Sequence, residues 1–300
     1  MNKKQKAKTG FTFMELSVTA VLFTLFVIAA IKGMALYNKA VDFANSRNPE
    51  TTNSSDEPQL NVVQSIADLK LWYNTTDSNS FVPEQAVDGS YITTWNDIKN
   101  ISTDSANNAR QLVSIYRPQY VANSISSNIA GVRFDGVDDY LSFDGSFFAN
   151  SDYTLFVVEK RLTNDIQQFF IGGTNTATAA QLIVGHSGQG FRWFHYRDII
   201  NTTHPNLSSN NPYIHSLRFS TSLGSAYWLN GGSNPDIYNS VSKTPLSSYN
   251  GATLGKSIGN ITYPYNGILF EIVAYNRALN DEERQLVETY LSEKYNIAIN

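Results

Sequence analysis

The chain has 300 residues, no cysteine, 17 tyrosines, 17 phenylalanines and 16% charged residues. So apolar and aromatic a sequence is not globally disordered, and without cysteine it offers neither disulfide, thiolate zinc site nor thiol nucleophile. The formal charge of −4 hides an asymmetry, because Lys3, Lys4, Lys6 and Lys8 crowd the first ten residues and the remainder sets 18 basic residues against 26 acidic ones. That remainder has no basic field, so no nucleic-acid contact is expected.

Leu16 to Ile31 is a run of sixteen residues without a charge. As a helix it measures about 24 Å; begun at Phe11, with Glu15 included, it reaches about 31 Å, close to the ~30 Å hydrocarbon thickness of a bilayer. The lysines before it place the N-terminus in the cytoplasm and the rest of the chain outside. No small-residue cleavage site closes the run; Ile31-Lys32-Gly33-Met34 continues as helix-compatible sequence to about Asn45. On its other side stands Lys8-Thr9-Gly10-Phe11-Thr12-Phe13-Met14-Glu15.

In these residues the chain resembles the type IV pilins and pseudopilins. Gly10 matches the last leader residue, Phe11 the first mature residue and Glu15 the carboxylate at the fifth mature position. The resemblance implies a leader over 1–10 and a hydrophobic helix over 11–45 that serves first as inner-membrane anchor and then as filament core. It also implies a prepilin peptidase that cuts before Phe11 and methylates the new amine, and other pilin or pseudopilin subunits as partners. A carboxylate near a membrane is costly unless paired; the amine of Phe11 in a neighbouring subunit is an available partner, which gives Glu15 a role in assembly. The plainer alternative is a signal anchor with an incidental glutamate. Where many family members carry a helix-bending proline this chain has Lys32, and its first proline is Pro49, so a straight helix to about Asn45 is expected.

Residues 46–60, SRNPETTNSSDEPQL, have linker composition. From 61 to 300 the texture changes to short apolar-aromatic runs separated by turn residues. Strands are expected at Leu69–Tyr73, Tyr91–Trp95, Gln111–Ile115, Gly131–Phe134, Tyr140–Phe143 and Thr154–Lys160, then at Gln168–Gly172, Gln181–Gly185, Phe191–Tyr196, Tyr213–Ser220, Ala226–Asn230 and Gly267–Tyr275. So many strands at short intervals read as an antiparallel sandwich or barrel. One helix closes the chain: Asn280 caps it, Glu283 completes a capping box, and Leu286, Val287, Tyr290 and Leu291 form its apolar stripe.

The order of three stretches, Val132-Arg133-Phe134-Asp135-Gly136-Val137-Asp138-Asp139-Tyr140-Leu141, Ala226-Tyr227-Trp228-Leu229-Asn230-Gly231 and Asn266-Gly267-Ile268-Leu269-Phe270-Glu271-Ile272, resembles the concanavalin A-like lectin/glucanase jelly rolls, in particular laminin G-like domains of bacterial surface proteins. The resemblance spans roughly residues 65–298. It implies a mainly β fold, an antiparallel jelly-roll sandwich followed by a short C-terminal helix.

Chemistry is sparse in the sequence. Family members that hydrolyse glucans carry their carboxylates a few residues apart on one strand, and cleavage needs two across one bond. Here Glu271 and Glu159 each stand alone, and Asp138-Asp139 would face opposite sides of a strand. No enzymatic activity is therefore expected. Gly185-His186-Ser187-Gly188-Gln189 approaches a nucleophile elbow but runs into a strand rather than a helix, which makes it a hairpin turn. His186, His195, His204 and His215 show no metal spacing and read as ordinary sheet and loop residues. No cofactor is required; calcium is the one ion with candidate ligands, Asp135, Asp138 and Asp139 in one turn, although such residues ordinarily serve the turn itself. An aromatic platform with polar neighbours is offered by Trp193, His195, Tyr196, Arg197 and Asp198, with Trp72, Trp95 and Trp228 as alternatives and the core as their plainer destination.

These features read as a pilin-like, filament-associated surface protein that presents a lectin-like sandwich for adhesion or for capture of a glycan or surface protein. The bulk of the sandwich favours a minor or tip subunit. A structural alternative is a minor pseudopilin of a type II secretion or DNA-uptake machine whose sandwich binds other subunits; the weakest alternative is a membrane-tethered glucanase. The expected place is the bacterial inner membrane with the large domain exported, then the periplasm or a surface filament.

Overall fold

The computed structural model of the chain describes residues 62–99, 106–125, 129–164, 167–173, 181–188, 190–196, 198–201, 207–249, 251–257 and 263–300. Residues 1–61, with Gly10, Phe11, Glu15, the apolar run and the linker, lie outside the described residues, as do Arg197 and His204. Two compact units are distinguished, Met1–Ser65 and Ile66–Asn300. Among the described residues no helix is long and apolar enough to cross a membrane.

The second unit is mainly β, with two antiparallel sheets of eight strands. In the first, the order is β14 (Ile237–Asn239), β13 (Gly224–Leu229), β12 (Tyr213–Ser220), β7 (Tyr153–Arg161), β16 (Asn266–Tyr275), β5 (Gly131–Asp135) and β4 (Gln119–Val121). β1 (Leu69–Asn74) is the eighth: β5 pairs with β16 from Asn266 to Leu269, and β1 takes over along the same edge from Glu271 to Tyr275. The second sheet runs β11 (Asp198–Asn201), β10 (Gly190–His195), β9 (Leu182–Ser187), β8 (Gln167–Gly173), β15 (Ala252–Leu254), β6 (Leu141–Phe143), β3 (Ala109–Arg110) and β2 (Thr94–Trp95).

The core lies between the sheets. Alternate residues of β7 (Tyr153, Leu155, Val157) and of β12 (Leu217, Phe219) meet Phe170, Leu182, Val184, Phe191 and Trp193 of the other sheet in one buried cluster. β16 is buried along almost its whole length, because its outer face is covered too. That cover is helix α1 (Asp281–Tyr295), which buries Val287, Tyr290, Leu291 and Tyr295. Its start follows the sequence: the Asn280 side chain accepts from the Glu283 N–H at 2.8 Å, and Glu283 Oε2 accepts from the Asn280 N–H at 3.2 Å. Leu286 departs from the expected stripe and faces solvent, its place below the sheet being taken by Arg284 and Glu288.

Two further expectations are corrected. Gln111–Ile115 is not a strand: β3 ends at Arg110 and Ser114–Tyr116 forms a 3₁₀ turn, with Leu112 and Ile115 exposed at 76% and 68%. Four strands of three or four residues, β4, β11, β14 and β15, fall outside the expected set; a run that short shows no period to read. The hairpin reading of Gly185–Gln189 is matched by the pairing of Ser187 with Gly190 across Gly188, which sits at φ +61°.

Candidate functional site

Alternation along β7 and β12 aims Glu159 and His215 into the core, and β9 aims His186 at them from the opposite sheet. His186 Nε2 lies 3.1 Å and His215 Nε2 3.0 Å from Glu159 Oε1, and all three side chains are fully buried. A carboxylate only accepts, so both imidazoles donate through Nε2–H; His215 Nδ1 then accepts from the Tyr227 hydroxyl at 2.9 Å. The Tyr265 hydroxyl donates to Glu159 Oε2. Burial works to raise the Glu159 carboxyl, but His186 and the hydrogen bonds from both histidines outweigh it and hold the group far below the usual carboxylate range. His215 is pushed down by burial, with Glu159 opposing. Arg161, on the same face of β7, spends its guanidinium on the carbonyls of Gly188 and Leu207.

The sequence alone does not give this arrangement: there Glu159 stands alone on its strand and the histidines show no metal spacing. The signal was present: Tyr153-Leu155-Val157-Glu159 and His215-Leu217-Phe219 are period-two rows with one polar member each. The ligand atoms of Glu159, His186 and His215 lie within 4.8 Å of one another, a set of types that suits a transition metal. Both carboxylate oxygens already accept hydrogen bonds, two at Oε1 and one at Oε2, and the group is closed to solvent, so its chemistry as it stands is that of a hydrogen-bonded bolt between the sheets. Glu271 plays the same part on the outer face. Its Oε1 accepts from Trp72 Nε1 at 2.6 Å and Tyr290 at 2.8 Å, and its Oε2 from Lys294 at 2.7 Å and Tyr295 at 2.8 Å, which pins α1 to the sheet.

An open site lies at the end of the sandwich where β16 begins. A cleft of about 310 Å³ is lined by Gly136, Thr163, Gln167, Gln168, Tyr263, Pro264 and Asn266. Tyr263 is 47% exposed, and its ring stands almost perpendicular to Phe169 at 6.0 Å. It adopts φ +59° immediately before a proline, a conformation that bulky residues and pre-proline positions both disfavour. Such strain, of order 1–3 kcal/mol, persists only where the surroundings impose it, and it clusters at functional sites. The wall is rigid: Gln168 donates to the Thr163 carbonyl at 3.0 Å and accepts from the Asn266 N–H at 3.1 Å. Gly136, at φ +80°, has the Asn266 side chain where a Cβ would sit, at 2.6 Å, so the turn closes on the cleft only with glycine.

Gly136 belongs to the acidic turn. Asp135 Oδ1 accepts from the N–H groups of Val137 (2.8 Å) and Asp138 (3.3 Å), and Asp139 Oδ2 from the Asp135 N–H (3.0 Å). One oxygen from each of the three carboxylates falls within 4.8 Å of the others. Burial first, and the neighbouring Asp135 second, push the Asp139 carboxyl up to about 7. These are the residues that would hold a calcium ion; they supply three of the six to eight oxygens it takes.

The aromatic platform expected from sequence is placed otherwise. Trp193 and His195 are fully buried in the core, because they occupy the inward positions of β10. His195 Nδ1 meets the Tyr153 hydroxyl at 2.8 Å and its ring stacks on Phe219. Tyr196 is half-buried at φ +58°, and Asp198 opens β11. Trp72, Trp95 and Trp228 are buried as well, so none of the four tryptophans presents a face to a ligand.

No protein-family model matches the chain, and no curated protein matches it by sequence. Solved structures do. Trypanosoma rangeli sialidase, as a covalent intermediate with 2,3-difluorosialic acid, is similar at TM-score 0.53 and 16% identity over 76% of this chain and 33% of that one. The same sialidase with sialic acid gives 0.52 and 15% over the same shares. The binding domain of Paraclostridial Mosquitocidal Protein 1 gives 0.52 and 13% over 77% and 53%. The chain spans about one third of the length of the sialidase chains it matches. The expectation that the chain is no enzyme is corrected here: sialidases are enzymes and stand among its structural neighbours. What these likenesses establish is the fold, an antiparallel two-sheet sandwich.

Proposed function

We propose that the sandwich binds carbohydrate in the cleft between Gly136, Thr163, Gln167, Tyr263 and Asn266, and that a pilin-type helix over residues 11–45 carries it on a filament or its precursor in the inner membrane. The observation that supports the binding reading is the strained, half-exposed Tyr263 beside the amides of Gln167 and Asn266. Sugar recognition needs an aromatic face with planar hydrogen-bonding groups around it. The fold agrees with this use, since the neighbours include a sialidase bound to sialic acid. Gly10, Phe11 and Glu15 support the filament reading, with a prepilin peptidase and other pilin subunits as partners.

A glycan array, read for binding and for released sugar together, tests the first part. Binding that is lost in Tyr263→Ala supports the cleft, whereas binding unchanged by that substitution places the ligand elsewhere. Co-purification with sheared filaments, quantified against the major subunit, tests the second. A second reading, contact with other subunits, is favoured by the exposed apolar turn Leu112, Val113 and Ile115; its signature is binding to the major subunit that is lost in Leu112→Ser.

A further inference from the structure

The side chains that line the cleft are uncharged among the described residues, yet its rim is not. Gly136 lies between Asp135, which is paired with Asn266 across β5 and β16, and the Asp138–Asp139 pair. Asp135 is exposed and Asp138 half-exposed, so their charges reach solvent within two residues of Gly136, which lines the cleft. Three cations of the neighbouring strands are directed elsewhere. Arg161 is fully buried and bonded to the Gly188 and Leu207 carbonyls. Lys160 donates to the Ser124 carbonyl. Lys256 is buried over the Tyr140 ring, 3.3 Å from its centroid. Arg133 is exposed two residues before Asp135 on β5, so at the rim two carboxylates stand against one cation.

From this juxtaposition of an uncharged, amide-and-tyrosine cleft with an acidic rim, we infer that the ligand is a neutral or amine-bearing glycan and that acidic sugars are excluded. The inference rests on the carbohydrate reading above and adds the class of sugar. A negative rim repels a carboxylate and attracts a protonated amine, over a range set by the Debye length, about 8 Å at physiological ionic strength. Like charges set against the wrong ligand are also how sites gain selectivity without new attractive contacts. The cleft thus parts from the sialidase with which the chain shares its fold, a protein seen with sialic acid bound.

The test is calorimetric titration of the full chain, freed of divalent cations, with three probes: chitosan tetraose, tetra-N-acetylchitotetraose and sialyllactose. The expected order is the amine form tightest, the N-acetyl form next and sialyllactose weakest, with about tenfold between the extremes, or ~1.4 kcal/mol. The gap should close at 1 M salt, where the Debye length falls to about 3 Å. In Asp135→Asn/Asp138→Asn the asparagines keep the turn's acceptors, and the order should flatten while N-acetylchitotetraose binding stays within about twofold. Sialyllactose as the tightest probe, or an order untouched by the double substitution, overturns the sugar class and leaves the carbohydrate reading standing. No binding to any of the three, with none on the glycan array, overturns both.

Discussion

Glu159→Ala is the sharpest perturbation of the sandwich. It strips the acceptor from His186 Nε2–H, His215 Nε2–H and the Tyr265 hydroxyl at once, in a site with no solvent access. Each stranded donor costs about 1–3 kcal/mol, but the three share one site and their costs do not add. Removal of one partner from a buried charged network typically costs about 3–5 kcal/mol in total, and that is the expected loss. For a unit of this size it corresponds to a fall in melting temperature of roughly 10 °C. Glu159→Gln keeps an acceptor oxygen and should cost less than half as much. Urea and thermal unfolding, followed by circular dichroism and tryptophan fluorescence, read both. The pH dependence has a fixed sign. Glu159 is held below its unfolded value, so its contribution is complete above about pH 4.3 and is lost as pH falls. His215, lowered as well, loses its contribution in the same direction below about pH 6.5. The part of the gap between wild type and Glu159→Ala that the carboxylate supplies should therefore hold in full down to about pH 4.3 and narrow only below it. An alanine variant that melts within about 2 °C of wild type, or a gap that does not narrow as pH falls below about 4.3, refutes the ionised bolt.

Asp139 titrates with the opposite sign: raised to about 7, it contributes stability below the unfolded value near 3.9 that is lost as pH rises through 7. Asp139→Asn should gain on wild type between pH 4 and pH 8, measured by paired urea melts. Asn280→Ala removes the cap of α1 and should cost about 1 kcal/mol, read from the fall in the urea midpoint multiplied by the m-value. Glu271→Ala, which frees Trp72, Tyr290, Lys294 and Tyr295 together, should speed amide exchange in α1 before the sheets respond. At the N-terminus, intact mass should show a mature chain beginning at Phe11, and Glu15→Ala should insert in the membrane yet enter filaments poorly; retention of Met1 in the mature chain contradicts this.

Long strands and the final helix were legible because their signals are local. β12 matches its expected bounds, Tyr213–Ser220, since eight residues show their alternation clearly. The Asn280–Glu283 box is a chemical motif, read without any tertiary knowledge. Gln111–Ile115 misled because its apolar residues serve the surface, where burial cannot be inferred from type. The site was harder still. Glu159, His186 and His215 come from three strands and two sheets, 56 positions apart at the widest, and only the pairing of the sheets brings them together. Tyr263 gave no sign at all: its distinction is a backbone angle imposed by the loop. Trp193 drew attention by residue type, but its phase on β10 decides its burial.

β16 has a mechanical consequence. It runs from Asn266, on the cleft, to Tyr275, whose partner Leu69 begins the first strand of the sandwich. At about 3.4 Å per residue its ten residues span roughly 34 Å. A tension applied between a ligand seated at Asn266 and whatever holds the chain upstream of Leu69 therefore acts along β16. Its flanking ladders to β7, β5 and β1 lie parallel to that pull. Their hydrogen bonds would share the load side by side, in shear, instead of opening one after another as a zipper does. α1 is fastened across the outside of the same strand through Glu271, so the strand that would carry such a pull is also clamped from its outer face.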